Sequence, residues 1–352
     1  MRVLLGGDGG AELPATVLAQ RVGWTGSVTW FRENVARLRP EYRRVDPADR
    51  LAHPAGEQVQ CDLWFPDVDV PIERGQAGRF PVLVMVASFS RFITAMLIPS
   101  KTTGDLLEGM WRLLADGVGA VPNHLLWDNE AGIGRGGRLA EGVAAWCGTL
   151  GTRIKQAPPY DPETKGVVER ANQFLATSWL PGRRFDCVGD FNWQLDEWLA
   201  GHGNKRRVRA IGGRPSDLVA QDRAAMAALP PVVPVTGGRF TTRLGRDYYV
   251  RAAGNDYSVD PAAIGRIVDV SVSHEHILVS SQGGLAARHD RWWGRGQVIT
   301  DPAHVASAAR LRAQFKTPRL RVADEGLGRD LSVYDQAFGV PPDWADDTRR
   351  AA

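Results

Sequence analysis

The chain has 352 residues, 43% of them apolar and 24% charged, which is typical of a soluble globular protein with two or three domains. The net charge of +3 is only weak evidence for a nucleic-acid partner. No apolar run reaches the ~18 residues of a membrane span. The N-terminus lacks the apolar core of a signal peptide, and three widely spaced cysteines fit a reducing cytoplasm.

The first 45 residues are predicted to be a short helical segment. Residues 13–40 read as two helices around a Gly-Trp-Thr-Gly turn at 23–26, and apolar residues recur at helical spacing in the second helix. Arg32, Arg37 and Arg39 are left outward and are candidates for contacts with DNA. A partial helix-turn-helix is compatible with this pattern, and so is a plain helical hairpin. A linker at residues 46–56 follows.

A catalytic core is predicted for residues 55–225. Residues 59–65 alternate as a strand that places Asp62 on the face opposite Val59 and Cys61, and the apolar run 81–87 is typical of a central strand. The block continues with a third strand at 92–98, a helix, and a short buried strand at 124–128 that delivers Asp128 at its C-terminal end. It is completed by a helix at 139–150, an extended segment at 153–156 and a further helix. The order βββαβαβα predicts a mixed sheet with helices on its faces.

The C-terminal part is predicted to hold a second, all-β unit. A basic segment leads into it and carries Lys205, Arg206, Arg207 and Arg209 without an acid, which indicates phosphate contacts. Five short strands between residues 240 and 280, punctuated by Gly and Asn, predict a small β-barrel within 236–300. Residues 301–352 read as a helix followed by an acidic tail.

One polar helix face stands out in the core, within the segment Pro159-Tyr160-Asp161-Pro162-Glu163-Thr164-Lys165-Gly166-Val167-Val168-Glu169-Arg170-Ala171-Asn172. Asp161 suits the N-cap position and the proline after it suits the first helical position. Lys165, Glu169 and Asn172 then share one face. From this segment alone, an ordinary amphipathic helix with a Lys–Glu pair is an equally good interpretation.

Three carboxylates suggest a shared site. Aspartate is depleted in strands, and a buried carboxylate is costly unless it is paired or bound to a metal. A single site formed by Asp62, Asp128 and Glu169 would explain why both aspartates lie in or after apolar strands. Such hard oxygen ligands bind Mg²⁺ or Mn²⁺, and two ions about 3.5–4 Å apart would promote displacement at a phosphodiester.

With these residues in place, the chain resembles the DDE integrase/transposase superfamily. The two aspartates are separated by 65 residues and Asp128 and Glu169 by 40, and the segment 159–172 is similar to the signature of IstA-type insertion-sequence transposases. The resemblance covers about residues 24–310. It implies a ribonuclease-H-like five-stranded core, catalytic roles for the three acids, and DNA contacts from Lys165, Arg170 and Asn172.

The resemblance also implies partners and a setting. These are two Mg²⁺ or Mn²⁺ ions, double-stranded DNA of the element ends and of the target, a helper ATPase, at least a homodimer, and a bacterial cytoplasm in which the protein is associated with the nucleoid. Family members usually carry a further N-terminal helix-turn-helix, and residues 1–10 do not provide it, which predicts weak recognition of element ends. Two alternatives remain at this stage: a catalytically idle, truncated DNA-binding remnant, and a cellular nuclease.

Overall fold

The computed structural model describes residues 2–7, 9–42, 52–73, 75–157, 162–316 and Phe338, with the backbone alone for 162–164. Most of the predicted linker, the start of the 159–172 signature and the acidic tail therefore lie outside the described residues. Among the described helices, none has the length and apolar character that crossing a membrane requires.

The N-terminal segment contains three helices, α1 (Arg2–Leu5), α2 (Ala15–Arg21) and α3 (Val28–Leu38). Ser27 caps α3, because its side chain accepts a hydrogen bond from the backbone N–H of Trp30. Leu5, Leu18, Phe31 and Val35 form a small core of their own. Arg32 and Arg37 are exposed, as the helical spacing predicted, but the prediction was wrong for Arg39, which is half-buried and donates to the carbonyl of Leu13.

The central part of the chain alternates strands and helices. In chain order these are β1 (Gln58–Trp64), β2 (Val70–Ile72), β3 (Gln76–Gly78), β4 (Val82–Ala87), β5 (Ile93–Leu97), α4 (Thr103–Arg112), β6 (His124–Trp127), β7 (Gly134–Arg135), β8 (Arg138–Leu139), α5 (Val143–Leu150), β9 (Arg153–Gln156), α6 (Pro162–Phe174), α7 (Val188–Gly201) and α8 (Pro215–Ala225).

Five of these strands form one mixed sheet in the order β5-β4-β1-β6-β9. β4 is antiparallel to both β1 and β5, whereas β6 is parallel to β1 and β9 is parallel to β6. The predicted order βββαβαβα of the main sheet is thus confirmed. The architecture is an α/β fold with a mixed five-stranded sheet, as the ribonuclease-H-like resemblance implied.

Helices cover both faces of this sheet. α4 and α5 pack on the face to which Val59 and Cys61 point, and α6 and α7 pack on the opposite face. Because β4 lies between two covered faces, all six of its residues are buried. This explains why its sequence is continuously apolar instead of alternating.

Two short hairpins were not predicted. β2 pairs with β3, and β7 pairs with β8 in the segment that follows Asp128. The helix expected at 139–150 therefore begins only at Val143, after Gly142 at a φ of 84°. Consecutive glycines at 136 and 137 turn the chain back before the helix starts, and a helical interpretation of Leu139 was wrong.

Between residues 238 and 316, the described C-terminal residues form two sheets and a helix. Their elements are β10 (Gly238–Arg243), β11 (Tyr249–Ala252), β12 (Asn255–Ser258), β13 (Ile267–Val272), β14 (His276–Ser281), β15 (Gly284–Asp290), β16 (Val298–Ile299) and α9 (Pro302–Lys316). The strands pair as β10-β13-β14-β15 and β11-β12-β16 around one apolar core. A closed barrel is not confirmed, because the described strands hydrogen-bond as two separate sheets.

The C-terminal sheets are joined to the central core through α4. Arg291 follows β15, and its guanidinium binds the carboxylate of Asp105 with N–O distances of 2.5 and 2.9 Å. The backbone N–H of His274 donates to Glu108, and its ring Nε2 donates to the Asp105 carbonyl at 2.8 Å. Buried charge-assisted bonds of this kind fix the relative position of the two units.

Candidate active site

Asp62 lies in the middle of β1, on the face covered by α6. Its Cα partner on β4 is Val84, whose side chain belongs to the core under α6, while Cys61 points to the opposite core. Burial raises the pKa of the Cys61 thiol well above its usual range, so this neighbour stays a neutral core residue. The strand thus presents one carboxylate to α6.

Asp128 follows the last residue of β6, which is the parallel neighbour of β1. Its side chain is 65% exposed, against 25% for Asp62. One of its oxygens accepts a hydrogen bond from the backbone N–H of Asn129 at 2.8 Å. The buried strand delivers this carboxylate to the edge of the sheet, as the sequence predicted, where solvent and a large substrate have access.

The side chain of Lys165 on α6 connects the two aspartates. Its Nζ lies 2.7 Å from Oδ1 of Asp62 and 3.7 Å from Oδ2 of Asp128, and the side chain is only 7% exposed. The second oxygen of Asp62 accepts a hydrogen bond from Nδ2 of Asn172 at 2.8 Å. Both residues were predicted to contact DNA, but in the structure they contact the carboxylate.

Gln60 is a positioning residue that sequence reasoning missed. It is fully buried on β1, and its Oε1 accepts hydrogen bonds from the backbone N–H groups of Val167 and Val168 at 3.2 and 3.1 Å. These bonds fix α6 against the strand that carries Asp62, two residues further along. The sequence did carry a signal for this role, because Gln60 is a polar residue inside a strand and lies on the same strand face as Asp62.

Glu169 is exposed on α6, between Lys165 and Asn172 along the helix. Residues spaced by three or four share a helix face, so Glu169 is a neighbour of both. Within the described ranges, no three acids, histidines or cysteines lie close enough together to hold a metal ion. The structure brings Asp62 and Asp128 together, and the inclusion of Glu169 in one metal site stays a prediction.

The two aspartates nevertheless fit a divalent cation. Their carboxylate oxygens converge on a single positive charge, the Lys165 ammonium, which stands where such an ion would be held. Carboxylate oxygens are the hard donors that Mg²⁺ and Mn²⁺ take. Asp62 and Asp128 are the described residues that could hold such an ion, and Glu169 stays the predicted third ligand.

The other candidate DNA contacts fall into two groups. Arg32, Arg37, Arg170, Lys205, Arg207 and Arg209 are exposed, although Arg37 also bonds to Asn34 on its own helix. Arg206 differs from them. Its guanidinium lies 4.2 Å from the centre of the Phe174 ring and donates to the carbonyl of Gly203, and burial lowers its pKa. The prediction that Arg206 is free for phosphate contact does not agree with this packing.

Comparisons with known proteins show a similarity to transposases. The family model "Mu transposase, C-terminal domain" matches residues 229–301. The transposase for insertion sequence element IS21 of Pseudomonas aeruginosa is 25% identical over 324 residues, which cover 90% of this chain and 78% of the relative. These matches confirm the resemblance to IstA-type transposases. The putative transposase for insertion sequence element IS5376 of Geobacillus stearothermophilus is 28% identical over 207 residues.

The match to the Mu transposase family model contains β10 to β16, and the alignment to the Pseudomonas relative covers 90% of this chain. The chain spans half the length of the Geobacillus relative, and 57% of the chain is aligned to it. Among solved structures, the catalytic core domain of BIV integrase aligns with a TM-score of 0.36 at 20% identity. That alignment covers 48% of this chain and 97% of the integrase chain.

Proposed function

We propose that this chain is a transposase that cleaves DNA strands and transfers them to new DNA in a metal-dependent reaction. The observation that carries the proposal is that two carboxylates lie close to the same positive charge, the ammonium of Lys165. One is Asp62 of the central strand β1, and the other is Asp128 at the end of the parallel strand β6. The relatives named above are transposases of insertion sequences, which supports the same class of reaction.

The roles of the residues follow from their positions. Asp62, Asp128 and Glu169 would hold two Mg²⁺ or Mn²⁺ ions. When bound, such ions activate a water molecule or a 3′-hydroxyl and stabilise the leaving oxygen of a phosphodiester. Asn172 holds one oxygen of Asp62 in place, and Lys165 balances the charge of both aspartates. Arg170 is exposed one residue after Glu169, where it can contact a phosphate.

The proposed partners follow from the reaction. The DNA substrates are the ends of an insertion sequence and a target duplex, and joining two ends requires at least two active sites, so we infer a homo-oligomer. A helper ATPase and a place in the bacterial cytoplasm in association with the nucleoid complete the proposal, and both rest on the IstA-type resemblance.

Glu169→Gln tests the function with little risk to the fold, because this side chain is exposed. The variant should lose Mg²⁺-dependent cleavage of element-end DNA and keep its affinity for that DNA, since a carboxylate is removed and no phosphate contact is lost. Glu197→Gln, at an exposed carboxylate on α7, is the matched control and should cleave like the parent chain. Full cleavage by the Glu169 variant would show that the chemistry lies elsewhere.

A further inference from the structure

The β7–β8 hairpin beside Asp128 carries two arginines in opposite positions. β7 and β8 are joined by Gly136 and Gly137, whose φ values of 57° and 79° are those of a tight hairpin turn that favours glycine. Arg135 and Arg138 are direct partners across this turn, and both side chains are exposed. The hairpin thus presents two guanidinium groups side by side.

This arrangement is electrostatically unfavourable for the chain alone. Like charges directly opposite each other in a strand pair are destabilising, and a pair of two-residue strands has little stability of its own. Within the described part of the chain, no carboxylate lies within ion-pair distance of either arginine. An external anion would remove the repulsion.

The hairpin is nevertheless held firmly. The backbone N–H of Gly137 donates to the side chain of Gln156 at 2.8 Å, and the N–H of Gly134 donates to the Glu130 carbonyl at 2.9 Å. Ile133, directly before β7, is fully buried in the main core. A side chain at Gly134 would place its Cβ only 2.2 Å from the Arg138 carbonyl oxygen, so the close approach of the two strands requires glycine there.

The same contacts tie the two arginines to the active-site edge of the sheet. Gln156 pairs with Trp127 in the register of β9 and β6, and Trp127 directly precedes Asp128. A groove lined by Asn129, Arg135, Leu139 and Gln156 connects the hairpin to the residue after Asp128. An anion held by the hairpin would therefore lie next to the proposed reaction centre.

We propose that Arg135 and Arg138 bind phosphates of the DNA backbone that flank the reacting phosphodiester. The guanidinium group matches phosphate oxygens with two parallel N–H donors, and a rigid pair of them positions a strand without reading its sequence. This inference rests on the proposed function, because it takes the substrate to be DNA. In this proposal the hairpin holds the DNA strand next to Asp128.

The test is the salt dependence of duplex binding by Arg135→Ser/Arg138→Ser. Each phosphate contact contributes about 0.9 to the slope of log K against log[salt], so the slope should fall by roughly 1 to 2. The control is Arg79→Ser/Arg251→Ser, which removes the same charge from two exposed arginines that pair with their own acids, and it should keep the parent slope. Equal slopes for all three proteins would overturn the proposal.

A second variant guards against loss of the fold. Arg135→Lys/Arg138→Lys keeps the charge and should keep the slope, because counterion release depends on charge and not on the shape of the donor. A slope that falls in the lysine variant as well would mean that the substitutions disturb the hairpin itself and that the serine effect is not a loss of charge, which overturns the proposal. If the parent chain shows no salt-dependent binding to duplex DNA, the proposed function fails too. If the parent chain binds duplex DNA in a salt-dependent way and the serine variant has the same slope, the hairpin inference alone fails.

Discussion

The ammonium of Lys165 lies 2.7 Å from Oδ1 of Asp62, and 103 positions in sequence separate the two residues. Because the same ammonium is 3.7 Å from Asp128, it neutralises two carboxylates that would otherwise repel each other. If the two aspartates hold a divalent ion, as proposed above, that ion and the Lys165 ammonium would compete for the same carboxylate oxygens.

Replacing Lys165 by Met should strengthen metal binding and weaken the metal-free protein. Loss of a charged hydrogen bond to Asp62 should cost about 2 kcal/mol of unfolding free energy without metal. Removal of the competing cation should tighten Mn²⁺ binding about tenfold, or about 1.4 kcal/mol. Titration calorimetry with Mn²⁺ and urea unfolding with and without Mg²⁺ measure the two effects.

The matched control for this change is Lys155→Met, which removes an exposed lysine from the edge strand β9. It should leave both the Mn²⁺ affinity and the unfolding free energy close to those of the parent chain. Weaker metal binding by the Lys165 variant would mean that the ammonium supports the site and does not compete for it.

The ion pair between Asp105 and Arg291 should dominate the attachment of the C-terminal sheets. The two side chains are only 2% and 6% exposed, so Arg291→Met leaves a buried carboxylate without its partner and should cost about 3–5 kcal/mol. The double change Asp105→Leu/Arg291→Met should recover much of that loss, since no charge stays buried. Urea unfolding of the parent chain, of Asp105→Leu, of Arg291→Met and of the double variant gives the coupling free energy, and additive losses would show that the two residues act independently.

His274 should make this junction sensitive to acid. Burial lowers the pKa of His274 below its ordinary 6.5, although Glu108 and Asp105 face it and oppose the shift, and Arg112 adds to it. The neutral ring donates from Nε2 to the Asp105 carbonyl, and its Nδ1 has no hydrogen-bond partner among the residues that the structure describes. The contribution of the neutral ring to the unfolding free energy is therefore fully present above pH 6.5, and it is lost as the pH falls below that value.

The measurement is the unfolding free energy at pH 7.5 and at pH 5.5 for the parent chain and for His274→Gln. Glutamine keeps an amide donor and does not titrate, so the variant should lose less stability between the two pH values. The lowered pKa values of His53, His124 and His304 act in the same direction in both proteins, and the difference between the two chains isolates His274. Identical losses would exclude His274 as the sensitive group.

Local patterns predicted the elements of the core, because alternation around Asp62, the apolar run of β4 and the strand before Asp128 each reflect burial within a few residues. These local patterns did not predict the side-chain contacts between residues that are distant in sequence. Lys165 and Asn172 contact Asp62 from more than 100 residues away, and Gln60 holds α6 through backbone groups that no periodicity shows. The same holds for Asp222, a buried carboxylate on α8 that accepts hydrogen bonds from the backbone of Gly56 and Ser90.

The basic segment at 205–209 should divide into DNA contacts and one packed residue. Lys205, Arg207 and Arg209 are exposed, so their joint replacement by Ser should lower the slope of log K against log[salt] for duplex DNA by up to about 3. Arg206→Met should leave the slope unchanged and lower stability by about 0.5–2 kcal/mol, because its guanidinium stacks on Phe174. Filter binding at several salt concentrations and urea unfolding separate the two effects. A slope that falls by about 1 in the Arg206 variant would show that this guanidinium leaves Phe174 to reach a phosphate.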